Sequence, residues 1–482
     1  MPIHLTCWLL VACLVPAGPL APQGQPGGPG GGGGAQPAAQ GRTSDPEALA
    51  QGEAARAQET SLSFAELNEV LISRRAGGAK GREILKHLLD TKLLGRLAEE
   101  SRLVISPAQL DLRTKELEKS IVAEGAAASL AEYLAQSGVA PDVFREHLRL
   151  AMIQEILARR ALGTPEGEEV NAEKQEMWLS QVLESRGAQM PPPPWADGVA
   201  ARCGDLEVRV SDYLEYMRLL LPADDVREDC FQLLLQKRVR ARMPDLAPEA
   251  LAKAVEAELA RRRKEHELDP RYRGLSYEQV MGAQGLQAPY LKQDPAVVIA
   301  ALATLWVDRT QGPEGLRATY AKEREHFDGR YGEAVDTRMI FLRAAELPNQ
   351  LIPRDFAAAE RELDGLKSGI KTADDFGRLA RQRTEENSTR EKEGRIGFVT
   401  RQDERLPPIL CEALFQAKPA ADGTALVGPV RVQDGVCLLW AGVRRPAPGW
   451  EEMAGHVHRE LRKRFLEGVL TKDLVRTYLD RP

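Results

Sequence analysis

The sequence predicts a multidomain chain: two copies of an α-helical module, then an α+β domain, then a C-terminal helix. Three observations predict it. Apolar residues recur at i, i+3 and i+4 over most of residues 59–310, the spacing of amphipathic helices. Within that stretch the order of helices and of their start signals occurs twice. Beyond residue 335 the period shortens and glycines punctuate the pattern, as in strands. The 482 residues, 43% hydrophobic and 28% charged, suffice for roughly three cores. A net charge of −6 argues against nucleic-acid partners, which require a basic face. Seven histidines and six cysteines form no CxxC or HxxxH group, so neither a metal nor a cofactor is expected. No apolar run reaches the roughly twenty residues that span a bilayer, which predicts a soluble body.

Residues 1–21 are a short apolar segment with the character of a secretory signal, although His4 stands where a basic residue is usual. Leu10-Val11-Ala12-Cys13 also resembles a bacterial lipobox, which makes Cys13 a candidate for lipidation and for a membrane tether. Residues 22–58 are rich in Gly, Pro, Ala and Gln and read as a flexible tether. Both features predict export to the periplasm or cell envelope. Of the cysteines beyond the signal, Cys203, Cys230, Cys411 and Cys437 are too sparse for a disulfide framework and read as buried thiols.

The first helical module is assigned to residues 59–165. Ser63-Phe64-Ala65-Glu66 is a capping box that starts a helix carrying Leu67, Val70 and Leu71. A second helix from about Arg82 has an apolar stripe of Ile84, Leu85, Leu88, Leu89, Leu93 and Leu97. Ser106-Pro107 opens a third, with proline in the first turn where its missing N–H costs nothing. Gly138 to Pro141 opens a fourth, with Phe144, Leu148, Met152 and Ile156. Residues 166–198, with Pro191 to Pro194, read as a stiff linker. The second module, 199–310, repeats the order: Val208–Met217, Val226–Met243, then Ala247-Pro248 where Ser106-Pro107 stood, then Ala296–Val307. A connecting helix is expected over 311–334.

Residues 335–445 read as α+β. Val335–Leu342 fits a largely buried strand, followed by helices from Pro353 to about Leu366 and around Phe376. Gly394–Val399 is a second strand and Leu410–Phe415 a short helix. Val427–Val430 and Val436–Trp440 form a closing hairpin about Asp434-Gly435. Residues 446–482 are assigned to a C-terminal helix.

Five pieces in this region share one order: the lead-in Leu316–Phe327; Phe376, Leu379 and Ala380; Gly394, Ile396 and Gly397; Glu412, Ala413 and Phe415; and Gly428-Pro429-Val430. Together they resemble a parvulin-type (PpiC) peptidyl-prolyl isomerase domain. The helical modules and the segment Trp450–Tyr478 resemble the corresponding parts of the SurA family of periplasmic chaperones. The resemblance implies an apolar proline pocket above a small polar network of two histidines, a threonine and a Cys or Asp. Here the histidine positions fall on Met339 and Cys437, the threonine on Val432, and the Cys/Asp position on Glu386 or Asn387. The pocket positions fall on Leu406, Leu410 and Phe415.

The polar network is therefore largely replaced while the apolar slot is kept, so catalytic residues are not assigned. Loss of transition-state contacts with retention of ground-state contacts lowers turnover rather than affinity. The expected function is that of an exported foldase or chaperone that binds unfolded or proline-containing polypeptides, with isomerase activity weak or absent. The alternatives are an active isomerase and a non-catalytic helical scaffold. The sequence assigns no oligomeric state.

Overall fold

The structure, a computed structural model, describes residues 49–480 apart from 138, 166, 167, 169, 348–351 and 353. The expected signal at 1–21, Cys13 and the first part of the tether lie outside the described residues. The chain divides into two compact units, one running to Leu302 and resumed from Val469, the other Ala303–Gly468. No helix among the described residues is long and apolar enough to cross a membrane.

The first unit opens with a hairpin, β1 (Glu53–Ala57) and β2 (Thr60–Ser63), followed by α1 (Phe64–Leu71) and α2 (Ala79–Glu100). Then come α3 (Pro107–Ala123), α4 (Leu130–Ser137) and α5 (Pro141–Leu162). Ser63 and Ser106 both close capping boxes, with Glu66 and Gln109. After α6 (Ala172–Ser185) the same order recurs in β3 (Val199–Cys203), β4 (Leu206–Arg209), α7 (Val210–Leu220) and α8 (Ala223–Ala241). It continues with α9 (Pro248–Leu268), α10 (Tyr277–Ala283) and α11 (Pro295–Thr310).

The packing departs from the expected boundaries at three points and again at the C-terminal end. The two stretches interleave, exchanging their second helices: α2 packs on β3, β4 and α7, whereas α8 packs on β1, β2 and α1. Buried polar contacts fix this exchange. Tyr213 donates to the Gly81 carbonyl at 2.8 Å, and Arg74 binds Asp229 (2.8 Å) and Asp294 (2.6 Å), with Asp229 fully buried. A buried ion pair of this kind is costly to break from one side, which holds the exchanged helices in register. Second, the expected linker 166–198 contains α6, whose Trp178, Leu179 and Leu183 are buried. The prolines that suggested a spacer occupy only its end. Third, the tether does not reach residue 58. Ala54, Ala55 and Ala57 are buried in β1, which pairs with β2 and with β9 (Arg476–Thr477). Small side chains that look like linker composition here let a strand lie tightly under a helix. The same pairing shows that the segment after the C-terminal helix is not helical throughout but returns a strand to the first unit.

In the second unit, α12 (Gly312–Lys322) and α13 (Arg324–Tyr331) replace the single connecting helix. A four-stranded antiparallel sheet follows, in the order β6-β5-β8-β7, from β5 (Ala334–Arg343), β6 (Arg395–Thr400), β7 (Ala425–Val432) and β8 (Gly435–Arg445). Between β5 and β6 lie α14 (Phe356–Lys367), α15 (Ala373–Arg383) and the single turn α16 (Asn387–Arg390). Between β6 and β7 lies α17 (Pro408–Gln416), and α18 (Trp450–Val469) comes last. Strand alternation sends Ile340, Leu342, Val436, Leu438 and Trp440 to one face, against Leu363 and Phe376 of α14 and α15. Val335, Cys437, Leu439 and Ala441 point to the other face, under α17.

Candidate functional site

The second face of the sheet carries the predicted site residues. Leu406, Leu410, Phe415 and Cys437 belong to one buried apolar cluster, and Met339 and Val432 pack against it as partly buried members. The register explains the meeting. Cys437 of β8 stands between Phe341 of β5 and Val430 of β7, and Met339 pairs with Leu439. From above, α17 lowers Leu410, Cys411, Leu414 and Phe415 into the cluster. Leu410 is fully buried, while Met339, Ile396 and Val432, packed against the cluster, are partly exposed.

Two glycines make this packing feasible. Gly394 has φ +74°, and a Cβ there would lie 2.6 Å from the Met339 carbonyl oxygen, whose strand-mate amide donates to Gly394 O at 2.8 Å. Gly428 has φ +107°, and a Cβ would lie 2.8 Å from the Cys437 carbonyl oxygen. Both are glycines of the motifs read in the sequence, and each is required for backbone conformation and close approach.

The chemistry of the slot is apolar. Cys437 is buried at 2% exposure, and burial pushes its thiol up to about 12, so it is protonated at neutral pH. A thiol in this state is neither a nucleophile nor a strong hydrogen-bond donor. Met339 and Val432 offer no proton. Thr337, buried on β5, donates its hydroxyl to the Val335 carbonyl at 2.9 Å. Arginines meet the cluster at its edge. The Arg401 guanidinium lies 4.4 Å from the Phe415 ring centroid and that of Arg444 5.8 Å, and both arginines reach Glu333. A guanidinium over a ring face both stabilises it and shields it from water.

Glu386 and Asn387 are not brought into the cluster. Glu386 accepts from the Ser388 amide and caps α16, and Asn387 is exposed at the start of that turn. The neighbours that do reach the sheet went unread in the sequence. Thr384 is buried, and its hydroxyl oxygen accepts from the Phe341 amide at 3.1 Å. The Glu385 amide donates to the Phe341 carbonyl at 2.8 Å, and its carboxylate binds the Arg343 amide (2.6 Å) and Arg354 (2.8 Å). A Thr-Glu pair directly after an amphipathic helix was the available signal, but it is common in caps and turns and carries little weight alone.

Residues 340–440 match the sequence profile of the PPIC-type PPIASE (rotamase) domain. Over this stretch the chain is similar to PpiC-type domains, the class of peptidyl-prolyl isomerase called parvulin-type. Among solved structures, the chain is similar to the peptidylprolyl isomerase PrsA of Bacillus anthracis, at 13% identity over 49% of this chain and 88% of that one, TM-score 0.25. It is similar to the foldase PrsA of Streptococcus pneumoniae at 15% identity over 57% and 91%, TM-score 0.27. A third similarity is to a structure reported with PEB4 and Cj1289, SurA-like chaperones of Campylobacter jejuni, at 14% identity over 52% and 81%, TM-score 0.21. No curated protein sequence matches the chain.

Proposed function

We propose that the PpiC-type domain holds proline-containing segments of unfolded polypeptides and rotates the Xaa-Pro bond weakly or not at all. One observation carries this reading: Met339, Val432 and Cys437 lie in a single apolar cluster with Leu406, Leu410 and Phe415. Rotation about the prolyl bond meets a barrier of roughly 20 kcal/mol from the partial double bond. A catalyst must favour the twisted amide over both planar forms. An apolar slot favours the pyrrolidine ring in each form alike, so it contributes affinity without turnover. The match to an isomerase domain supports the second reading, an active enzyme that works through the slot alone.

The wider proposal is an exported foldase-chaperone acting in the periplasm or cell envelope, with Cys13 as the lipidation site. It is supported by the apolar segment 1–21 and the Gly/Pro-rich residues that follow. Intact-mass analysis of the chain recovered from a cell-envelope fraction tests it. Cleavage before Cys13 with an added diacylglyceryl mass supports the tether, and cleavage near residue 21 without it removes the tether.

The site reading is tested with the full chain and a short Ala-Pro peptide, by a protease-free isomerisation assay and a binding titration side by side. Binding that weakens when Pro is replaced by Ala, with no rate above background, is the expected result. A rate above background that is lost in Phe415→Leu would establish the enzyme instead.

A further inference from the structure

A cavity of about 380 Å³ in the first unit opens between α2, α5 and α6. Its size falls in the range of small-molecule sites, and its lining pairs an apolar wall with a few convergent polar groups, as such sites do. Ile84, Leu94, Leu150 and Leu179 form the wall. The polar side carries three carboxylates, Glu83, Asp90 and Glu176, two ammonium groups, Lys80 and Lys86, and two imidazoles, His87 and His147.

The charges do not balance. Lys80 is paired with Glu83 at 3.2 Å. Lys86 binds Oδ2 of Asp90 at 2.8 Å, which leaves Oδ1 of Asp90 buried without a hydrogen-bond partner. Glu176 has no ion pair among the described residues, and it acts on Asp90 as a like charge that, with burial, raises the Asp90 carboxyl. The imidazoles do not compensate. His147 Nδ1 faces the Val143 carbonyl at 2.8 Å, which only accepts, so that nitrogen carries the proton and Nε2 is a free acceptor. The Tyr216 hydroxyl satisfies Nδ1 of His87 at 2.6 Å, and burial holds His87 down at about 4, so it is neutral at pH 7. One negative charge, one orphaned carboxylate oxygen and an acceptor nitrogen therefore border an apolar space. A buried acceptor left unpaired costs free energy that an incoming donor recovers.

We propose that this cavity binds an alkylammonium group, its protonated amine donating to Oδ1 of Asp90 and its carbon chain lying along Ile84, Leu150 and Leu179. The group comes either from a free amine or from a lysine side chain of a bound polypeptide. The inference stands apart from the reading of the proline slot, which it neither needs nor supports.

The test is calorimetric titration of the full chain at neutral pH with hexylamine, hexanol and N-acetyl-lysine methylamide. Hexylamine should bind, with hexanol weaker by about tenfold or more, the size of one charge-assisted contact. Asp90→Asn should weaken hexylamine by a similar factor, and Ala151→Leu, which fills the cavity, should abolish its binding. Should Asp90→Asn fail to fold, Glu176→Gln at its exposed position keeps the charge argument testable. Equal binding of hexanol and hexylamine, no binding of hexylamine, or unchanged binding in the folded Asp90 and Glu176 variants would overturn the proposal. Lysine methylamide tighter than hexylamine assigns the site to polypeptide lysines, and the reverse order to free amines.

Discussion

The sheet slot of the second unit and the helical cavity of the first invert what their surroundings suggest. The sheet cluster lies in the stretch similar to PpiC-type domains, where the proposed reading expects polar groups around a prolyl bond, yet it is made of Met339, Val432, Cys437 and Phe415. The cavity sits among leucine-striped helices, yet it holds Asp90, Glu176 and a pair of neutral histidines. The difference shows that a fold does not carry its chemistry with it. On the proposed reading, the glycines that shape the backbone here stay while the side chains that would act on a prolyl bond are replaced. Polar atoms occur where helix faces leave a space that apolar side chains do not fill.

Four measurements break or sharpen this contrast. If the slot residues are core first, Phe415→Ala should cost ~3–5 kcal/mol, as truncation of a buried ring does, read by urea unfolding of the second unit. A cost below about 1 kcal/mol would mean that the ring is free for a ligand rather than committed to packing.

The cavity should respond to acid and the slot should not. Burial lowers His87 from 6.5 to about 4, so the fold favours its neutral form. That contribution is complete above about pH 6.5 and is lost as pH falls toward 4. At full effect it amounts to ~3 kcal/mol in the first unit, and His87→Gln should flatten the dependence. An unchanged pH profile in that variant would place the acid sensitivity elsewhere.

Gly428→Ala is expected to destabilise the second unit by ~2 kcal/mol, from a positive φ and the close Cys437 carbonyl. A neutral result in thermal unfolding would show that β7 can shift at its bulge. The smallest stability effect belongs to Met339→His at the slot's partly exposed border, expected within about 1 kcal/mol of the parent. It returns an imidazole to the slot, so the isomerisation rate should rise. A flat rate with intact binding would show that one imidazole is insufficient without the rest of the network.

The helices and strands were legible where period and start signals agree. Ser63, Ser106 and Pro248 mark helix starts that the structure keeps, and the strands around Met339 and Cys437 fall where the shortened period put them. Met339, Val432, Cys437, Leu406, Leu410 and Phe415, read from motif order, share one apolar cluster. Thr384 and Glu385 were not legible, because their role depends on where a loop meets β5. β1 was missed because alanines carry no hydrophobic signal, and α6 because nearby prolines outweighed its own period.

The sequence by itself determined the local elements and the glycines at the close approaches of Gly394 and Gly428. These follow from propensity, turn chemistry and residue identity, all of which act within a few neighbours along the chain. Only the tertiary structure decided that α2 and α8 exchange partners, that β9 returns to β1, and that Asp90 and Glu176 line one cavity. Those depend on contacts between residues far apart in the chain, whose free energy is set by shape, burial and unpaired charge in three dimensions and leaves no periodic trace in the letters.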